Sequence, residues 1–230
     1  MNNYLLRETA KGNYSYSVAP EIMIGASKKL MLHAEAFFGN AMDKFDFDGA
    51  AVYGKYRFYS NDELHKHFRM AVYGRLAFSN NMIMQPAIDL TGKNSGEELG
   101  IVATKLLNRF AVSAGTSVLH ANDIPDLYKI YLGWGSNAVN YNLSFGKLFL
   151  PKEYRDFKQV NLNGMLEFVG QVNTMNGKGY LDLAPSLQVI FLSRLRLDAG
   201  YRFPLLHGLY RMQDKGFLLR LEYNLFNAYK

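Results

Sequence analysis

The feature that most limits what this chain can become is a two-residue period that recurs almost from end to end. Apolar residues share one parity in Tyr14, Tyr16, Val18, Pro20, Ile22 and Ile24, then in Leu30, Leu32, Ala34, Ala36 and Phe38, then in Ala50, Val52, Gly54, Tyr56 and Phe58. The spacing continues through Phe68, Met70, Val72, Gly74, Leu76 and Phe78, and through Val160, Leu162, Gly164, Leu166 and Phe168. It closes with Leu181 to Phe191, Leu195 to Leu205 and Phe217 to Leu225, and weaker versions lie at 98–107, 110–120, 128–135 and 138–149. Successive side chains of a strand point to opposite faces, so each run describes a strand with one oily face. The runs are about 10–13 residues long, roughly twice the ordinary strand.

A strand of ~11 residues tilted near 45° rises about 26 Å, the height of a bilayer's apolar band. Short connections ("SKK" at 27–29, "LNR" at 107–109, "SR" at 193–194) contrast with long polar or mixed ones at 40–48, 80–97 and 206–215. Tight turns on one rim and long loops on the other suit an up-and-down transmembrane barrel. The expected fold is all-β and antiparallel, a single domain over residues 1–230, with about 12 strands and 14 as the alternative because such barrels have even counts. The directions of the runs do not alternate correctly between 121 and 179, so one element there is missing or miscounted. "SGEELGIVATKLLNRF" has a capping-box spacing at Ser95 and Glu98, but β-branched Ile101, Val102 and Thr104 favour a strand.

The charges indicate which face is inside. In the eight clearest runs Glu21, Glu35, Lys55, Arg57, Arg69, Arg75, Glu167, Asp182, Arg196, Asp198, Arg202, Arg220 and Glu222 all lie opposite the apolar parity. A soluble barrel or sandwich with a greasy core would also give this pattern. Against it, the charged parity carries Met31, Phe37, Tyr53, Ala71, Tyr73, Ala77, Met165 and Val169 between its charges, a mixture suited to a crowded lumen. The apolar parity is aromatic near strand ends, at Tyr14, Phe38, Phe58, Phe68, Phe78, Tyr128, Trp134, Phe168, Phe203 and Phe217, as interfacial girdles would be. An Arg facing lipid at the midplane costs about 2–4 kcal/mol, so Arg75, Arg196, Arg202 and Arg220 together would cost on the order of 12 kcal/mol. The charges therefore face the axis. Lys105 and Lys147 break the rule near strand ends, where they can snorkel. Pro20 and Pro185 fall within runs and call for bulges or rims.

Composition narrows the classes further. No stretch of the 230 residues has the ~20 apolar residues of a spanning helix. The absence of cysteine excludes disulfides and thiolate metal sites. A net charge of +6 spread along the chain gives no nucleic-acid footprint. The opening "MNNYLLRETAKGNYSYS" has no apolar h-region of a signal peptide, so export to a bacterial outer membrane implies a mature or trimmed form.

"YLDLAPSLQVIFLSRLRLDAGYRFPL" followed by "GFLLRLEYNLFN" resembles the C-terminal hairpins of a broad outer-membrane barrel family, described as transporter-like or phenol-degradation meta-pathway proteins, in the form seen in Bacteroidota. The likeness covers about the last seventy residues, from "VNLNGMLEFVGQ" onward. It implies a barrel inserted in outer-membrane lipid. "FLLRLEYNLF" is similar to the aromatic-ended strand that barrel-assembly machinery reads, although "NAYK" follows Phe226 here.

Catalytic signals are weak. "TSVLHAND" puts Thr116 and His120 on the outward parity and Ser113 and Ser117 on the inward one, so no Ser–His dyad forms and a lipid hydrolase is not expected. His33 and Glu35 point inward with Glu21 nearby, a set read first as a hydrogen bond and second as a metal or proton site. His65 and His67 flank a turn with no evident partners, and "GKNSGEE" lacks the spacing of a phosphate loop. No metal or other cofactor is expected. The favoured function is passive passage of a small solute through a narrow lumen lined by Glu35, Lys55, Arg57, Arg69, Arg75, Glu167, Asp182, Arg196, Asp198, Arg202, Arg220 and Glu222, narrowed by inward Tyr53, Tyr73, Tyr131 and Phe37. The alternatives are a non-conducting structural or docking barrel whose 80–97 loop makes the contacts, and a soluble ligand-binding barrel.

Overall fold

The computed structural model describes residues 4–8, 14–40, 44–63, 66–83, 85–153, 156 and 158–225. Its wall is built from β1 (Tyr4–Glu8), β2 in three pieces (Tyr14–Ser15, Ser17–Val18 and Glu21–Gly25), β3 (Leu30–Gly39), β4 (Asp46–Glu63), β5 (Lys66–Ser79), β6 (Gly96–Leu107) and β7 (Phe110–Ala121). After a short helix, α1 (Asp126–Leu132), follow β8 (Asn137–Leu150), β9 (Asn161–Asn173), β10 (Gly179–Phe191), β11 (Leu195–His207) and β12 (Gly216–Tyr223). Each strand pairs antiparallel with its neighbours in sequence. The Tyr14–Ser15 piece of β2 pairs with β1 and its other two pieces pair with β3, while β1 pairs with β12. The sheet thus returns on itself as twelve antiparallel strands. Closure satisfies the ladder hydrogen bonds that an open edge would leave free.

Local chemistry sets the turns. Ser27 Oγ accepts from the N–H groups of Lys29 and Leu30, folding the β2–β3 connection. Asn108 takes a φ of 53° between β6 and β7, a conformation that Asn tolerates better than most residues. Pro20 sits at a break in β2. Beside Pro185 the β10–β11 pairing is interrupted between Leu183 and Ser186, so neither proline needs to donate to a ladder there.

The run 128–135 is not a strand. Most of it belongs to α1, which starts after Pro125, carries an Asp126–Lys129 ion pair of 3.0 Å and ends at Gly133 in the left-handed region. Removing this false strand restores the up-and-down alternation that the sequence reading could not close. Residues 96–107 form β6, as their β-branched content indicated.

The two faces differ sharply. On the outside, Leu221 is 70% exposed, Val72 39% and Leu197 36%, while inward Asp182 is fully buried and Asp198 and Arg75 are under 10% exposed. Rings gather at the outer rims: Tyr16 stacks on Phe45 and Phe38 meets Phe47 at the long-loop end, and Tyr59 meets Phe68 at the other. Tyr128 and Trp134 depart from the girdle expectation. They form an edge-to-face pair packed on a small core inside the long-loop mouth. Lys105 and Lys147 are exposed near the short-turn ends of their strands, Lys147 with its ammonium 5.9 Å from the Phe149 ring. His65, Phe226 and the tail after it lie outside the described residues.

Leu192 and Ser193 both adopt left-handed φ values, 53° and 56°, in the β10–β11 turn. A side chain there costs roughly 1–2 kcal/mol. Leu192→Gly is expected to raise the barrel's stability by about 1 kcal/mol, read as a higher denaturant midpoint in micelles.

Candidate functional site in the barrel lumen

The lumen is crossed by the connection between β5 and β6. Its segment "QPAIDLTGKN" (85–94) folds inward, so that Gln85, Ala87, Ile88, Leu90 and Asn94 are all buried. Ile88 and Leu90 pack with Leu119, Ala121, Ile124 and Ala138, and Ala87 packs with Tyr180 and Leu209. Burial of each larger aliphatic stabilises the fold by roughly 2 kcal/mol. Small inward residues at Ala77, Ala121 and Ala138 leave the room the loop occupies.

Polar contacts fix the loop to several walls. From β9, Gln171 Nε2 donates to the Ile88 carbonyl at 2.8 Å and its Oε1 accepts from the Ile88 N–H at 2.9 Å, imitating a strand partner. The same Nε2 donates to Asn140 Oδ1 on β8. Asp123 accepts from the Ser95 N–H at 2.5 Å and from Asn94 Nδ2 at 3.3 Å. Gln85 accepts from the Met212 N–H, and Lys93 donates to Gln213, tying the loop to the 208–215 connection. Gly92, at a φ of 89°, passes so close to Phe37 and Asp48 that no side chain fits. The 85–94 stretch therefore packs into the mouth.

Three charge networks cover the inner wall. In the first, Asp182 on β10 receives Arg202 at 2.5 Å and a two-point contact from Arg211 at 2.5 and 2.7 Å, and the Arg211 guanidinium lies 3.7 Å from the Tyr180 ring centre. In the second, Arg75 makes two hydrogen bonds to Glu35, 2.9 and 3.2 Å, and approaches Glu98, which accepts from Ser117 Oγ at 2.6 Å. In the third, Asp198, Arg196, Glu222 and Arg220 form a chain of contacts of 2.9, 3.6 and 3.0 Å. Arg220 then reaches Glu21 at 3.6 Å. That last step links β12 to β2 over the short β1, clasping the seam where the barrel closes.

Glu21, His33 and Glu35 do come together, with donor atoms within 4.8 Å of one another and His33 Nδ1 bonded to Glu21. Arg75 and Arg220 already neutralise the two carboxylates, so the trio is built as a hydrogen-bonded ion-pair network. Lys55 and Glu167 stand half-buried on the inner wall. Arg57 and Arg69, expected in the lumen, sit at the short-turn rim instead. A bulge between Arg57 and Tyr59 marks where β4 runs on past the start of β3; there Arg57 donates to the Lys28 carbonyl, and Arg69 near the start of β5 pairs with exposed Asp62. His67 also has a partner, Asp62, at 2.9 Å. Tyr131 is 76% exposed on α1 and does not narrow the lumen, whereas Tyr53, Tyr73 and Phe37 lie inward. Ser117 faces inward and His120 outward, where its Nδ1 meets Asn137.

Sequence reasoning missed Arg211, Glu98, Gln171 and the inward loop. Aliphatics inside a long polar connection, "MIMQPAIDL", were the signal for the loop. Glu98 lay in a weak run, and Arg211 lay in a connection read only as polar or mixed.

No family model matches the chain, and no curated protein matches it. Among solved structures it is similar to the crystal structure of Acinetobacter baumannii OccAB4, with a TM-score of 0.42 and 14% identity over 95% of this chain. The chain spans 56% of that protein's length.

Gln171→Leu would strip both backbone groups of Ile88 of their partner, a loss of about 2–3 kcal/mol for the loop. Exchange of the Ile88 amide, followed by hydrogen–deuterium measurement, is expected to accelerate by about 30–160-fold.

Proposed function

We propose that the protein is an outer-membrane barrel that passes a small polar solute through a lumen constricted by its own 85–94 loop. The observation that carries this reading is the polarity of the wall. Large apolar side chains cover the outside, and Arg75 of β5 with the arginines and carboxylates of β10, β11 and β12 turn to the axis, each beside a counter-ion. A wall of this kind is stable in hydrocarbon and unstable in water. One rim carries tight turns at 108–109 and 192–194 beside the longer 151–160 connection, and the other carries long connections at 80–95, 122–136 and 208–215. This matches a barrel whose long loops face outward from the cell.

Beneath the loop remains a cavity of about 370 Å³, lined by Tyr53, Lys55, Glu98, Asn142, Glu167 and Arg202 among others. Its polar lining suits a hydrated solute, and the loop that roofs it sets how freely that solute moves. The reading is of a passage, with no catalytic step.

Planar-bilayer recording tests it. The wild-type barrel is expected to give small unitary currents, and replacing residues 86–93 by a short Gly–Ser linker should raise them severalfold. Silence from both proteins after verified insertion would overturn the passage and leave a structural barrel.

A further inference from the structure

The ionisable groups lining the cavity are nearly all matched. Arg75 has Glu35, Glu98 has Ser117, Lys93 has Asp89, Arg202 and Arg211 share Asp182, and Asp214 has His207. Lys215 also has an interaction. Two groups stand apart: among the described residues, Lys55 and Glu167 have neither a hydrogen bond nor an ion pair, and both line this one cavity.

Their positions are complementary. Lys55 lies on β4, two residues inward of the rim position of Arg57, and Glu167 lies midway along β9, five strands apart in a ring of twelve. The two charges therefore project into the same cavity from nearly opposite walls. Between them the lining offers neutral polar and aromatic groups, including Tyr53, Tyr73, Asn140 and Asn142. Elsewhere on this inner wall a charge has a close partner, so two unmatched charges of opposite sign in one cavity form a polarised pair of docking points. A solute with one charge gains from one wall and is opposed by the other. A solute with opposite charges at its two ends gains from both and is held in one orientation.

We infer that the cavity takes a small zwitterion, an amino-carboxylate whose acid end faces Lys55 and whose ammonium end faces Glu167. A volume of about 370 Å³ lies within the range of small-molecule sites and admits a chain of several carbons between the two charges. This names the solute class for the passage proposed above and rests on that reading of the lumen.

Isothermal titration of the intact barrel in micelles separates binding from transport. The probes are 6-aminohexanoate, hexanoate, hexylamine and hexanol. The zwitterion is expected to bind about tenfold more tightly than either singly charged probe. Lys55→Met should reduce it to the level of hexylamine, and Glu167→Gln to that of hexanoate. The exchange variant carrying Lys55→Glu and Glu167→Lys keeps both charges and should retain the preference. Equal binding of all four probes, or a zwitterion preference unchanged in both single variants, would overturn the inference. Heat-modifiable migration verifies that each variant folds, and the conservative Lys55→Arg and Glu167→Asp variants should keep the preference if the single variants do not fold. Preferential binding without bilayer current would count against the passage alone. Current without preferential binding would count against the zwitterion alone.

Discussion

An ionic side chain on a strand needs water or a counter-ion, and on this wall of outward Leu, Val and Phe the counter-ions lie toward the axis. Facing the axis, Arg75 finds Glu35, Arg202 and Arg211 find Asp182, and Arg196 and Arg220 find Asp198 and Glu222. Facing outward into hydrocarbon, each arginine would cost about 2–4 kcal/mol. The two-residue period of a strand converts this preference into architecture, because fixing one side chain inward fixes the whole strand. Register, closure and the charge clasp from Arg220 to Glu21 across the seam follow from that choice.

An interior lined with ion pairs is stiff but leaves space, and the 85–94 loop occupies part of it. The loop is held by a device that belongs to sheets: Gln171 offers Ile88 the donor and acceptor that a neighbouring strand would supply. Around that contact the aliphatics of the loop, the inward alanines of the wall and the Tyr128–Trp134 pair form a conventional core at the mouth. The molecule thus has two regimes. Its outer surface is greasy apart from residues such as Lys105 and Lys147 near the strand ends, and its interior is ionic along the wall and apolar where the loop packs at the mouth.

Much of the wall was legible in the sequence because alternation is a local signal. Leu187, Leu197 and Leu221 announce their face through residues one and two positions away. The residues 128–135 misled because Tyr128, Ile130 and Leu132 alternate just as a strand would, while Leu127, Ile130 and Tyr131 also fit a helical turn; Pro125 and Gly133 were the deciding punctuation. Gln171, Glu98 and Arg211 were beyond reach for a different reason. Their partners lie 83, 19 and 29 residues away, and only the closed barrel brings them together. Arg57 and Arg69 obey the inward parity, but parity carries no information about height along the axis, and both fall at the rim.

The native chain has no cysteine, so single labels can be placed without background. The most direct measurement is nitroxide accessibility in lipid vesicles for adjacent pairs, Leu187→Cys with Gln188→Cys and Leu219→Cys with Arg220→Cys. Labels at 187 and 219 should relax strongly with oxygen, which concentrates in hydrocarbon, and weakly with a polar nickel complex, while labels at 188 and 220 should show no such lipid signature. Labels at 187 and 219 that respond to the nickel complex as freely as a solvent-exposed loop does would place the oily face in water and contradict the account.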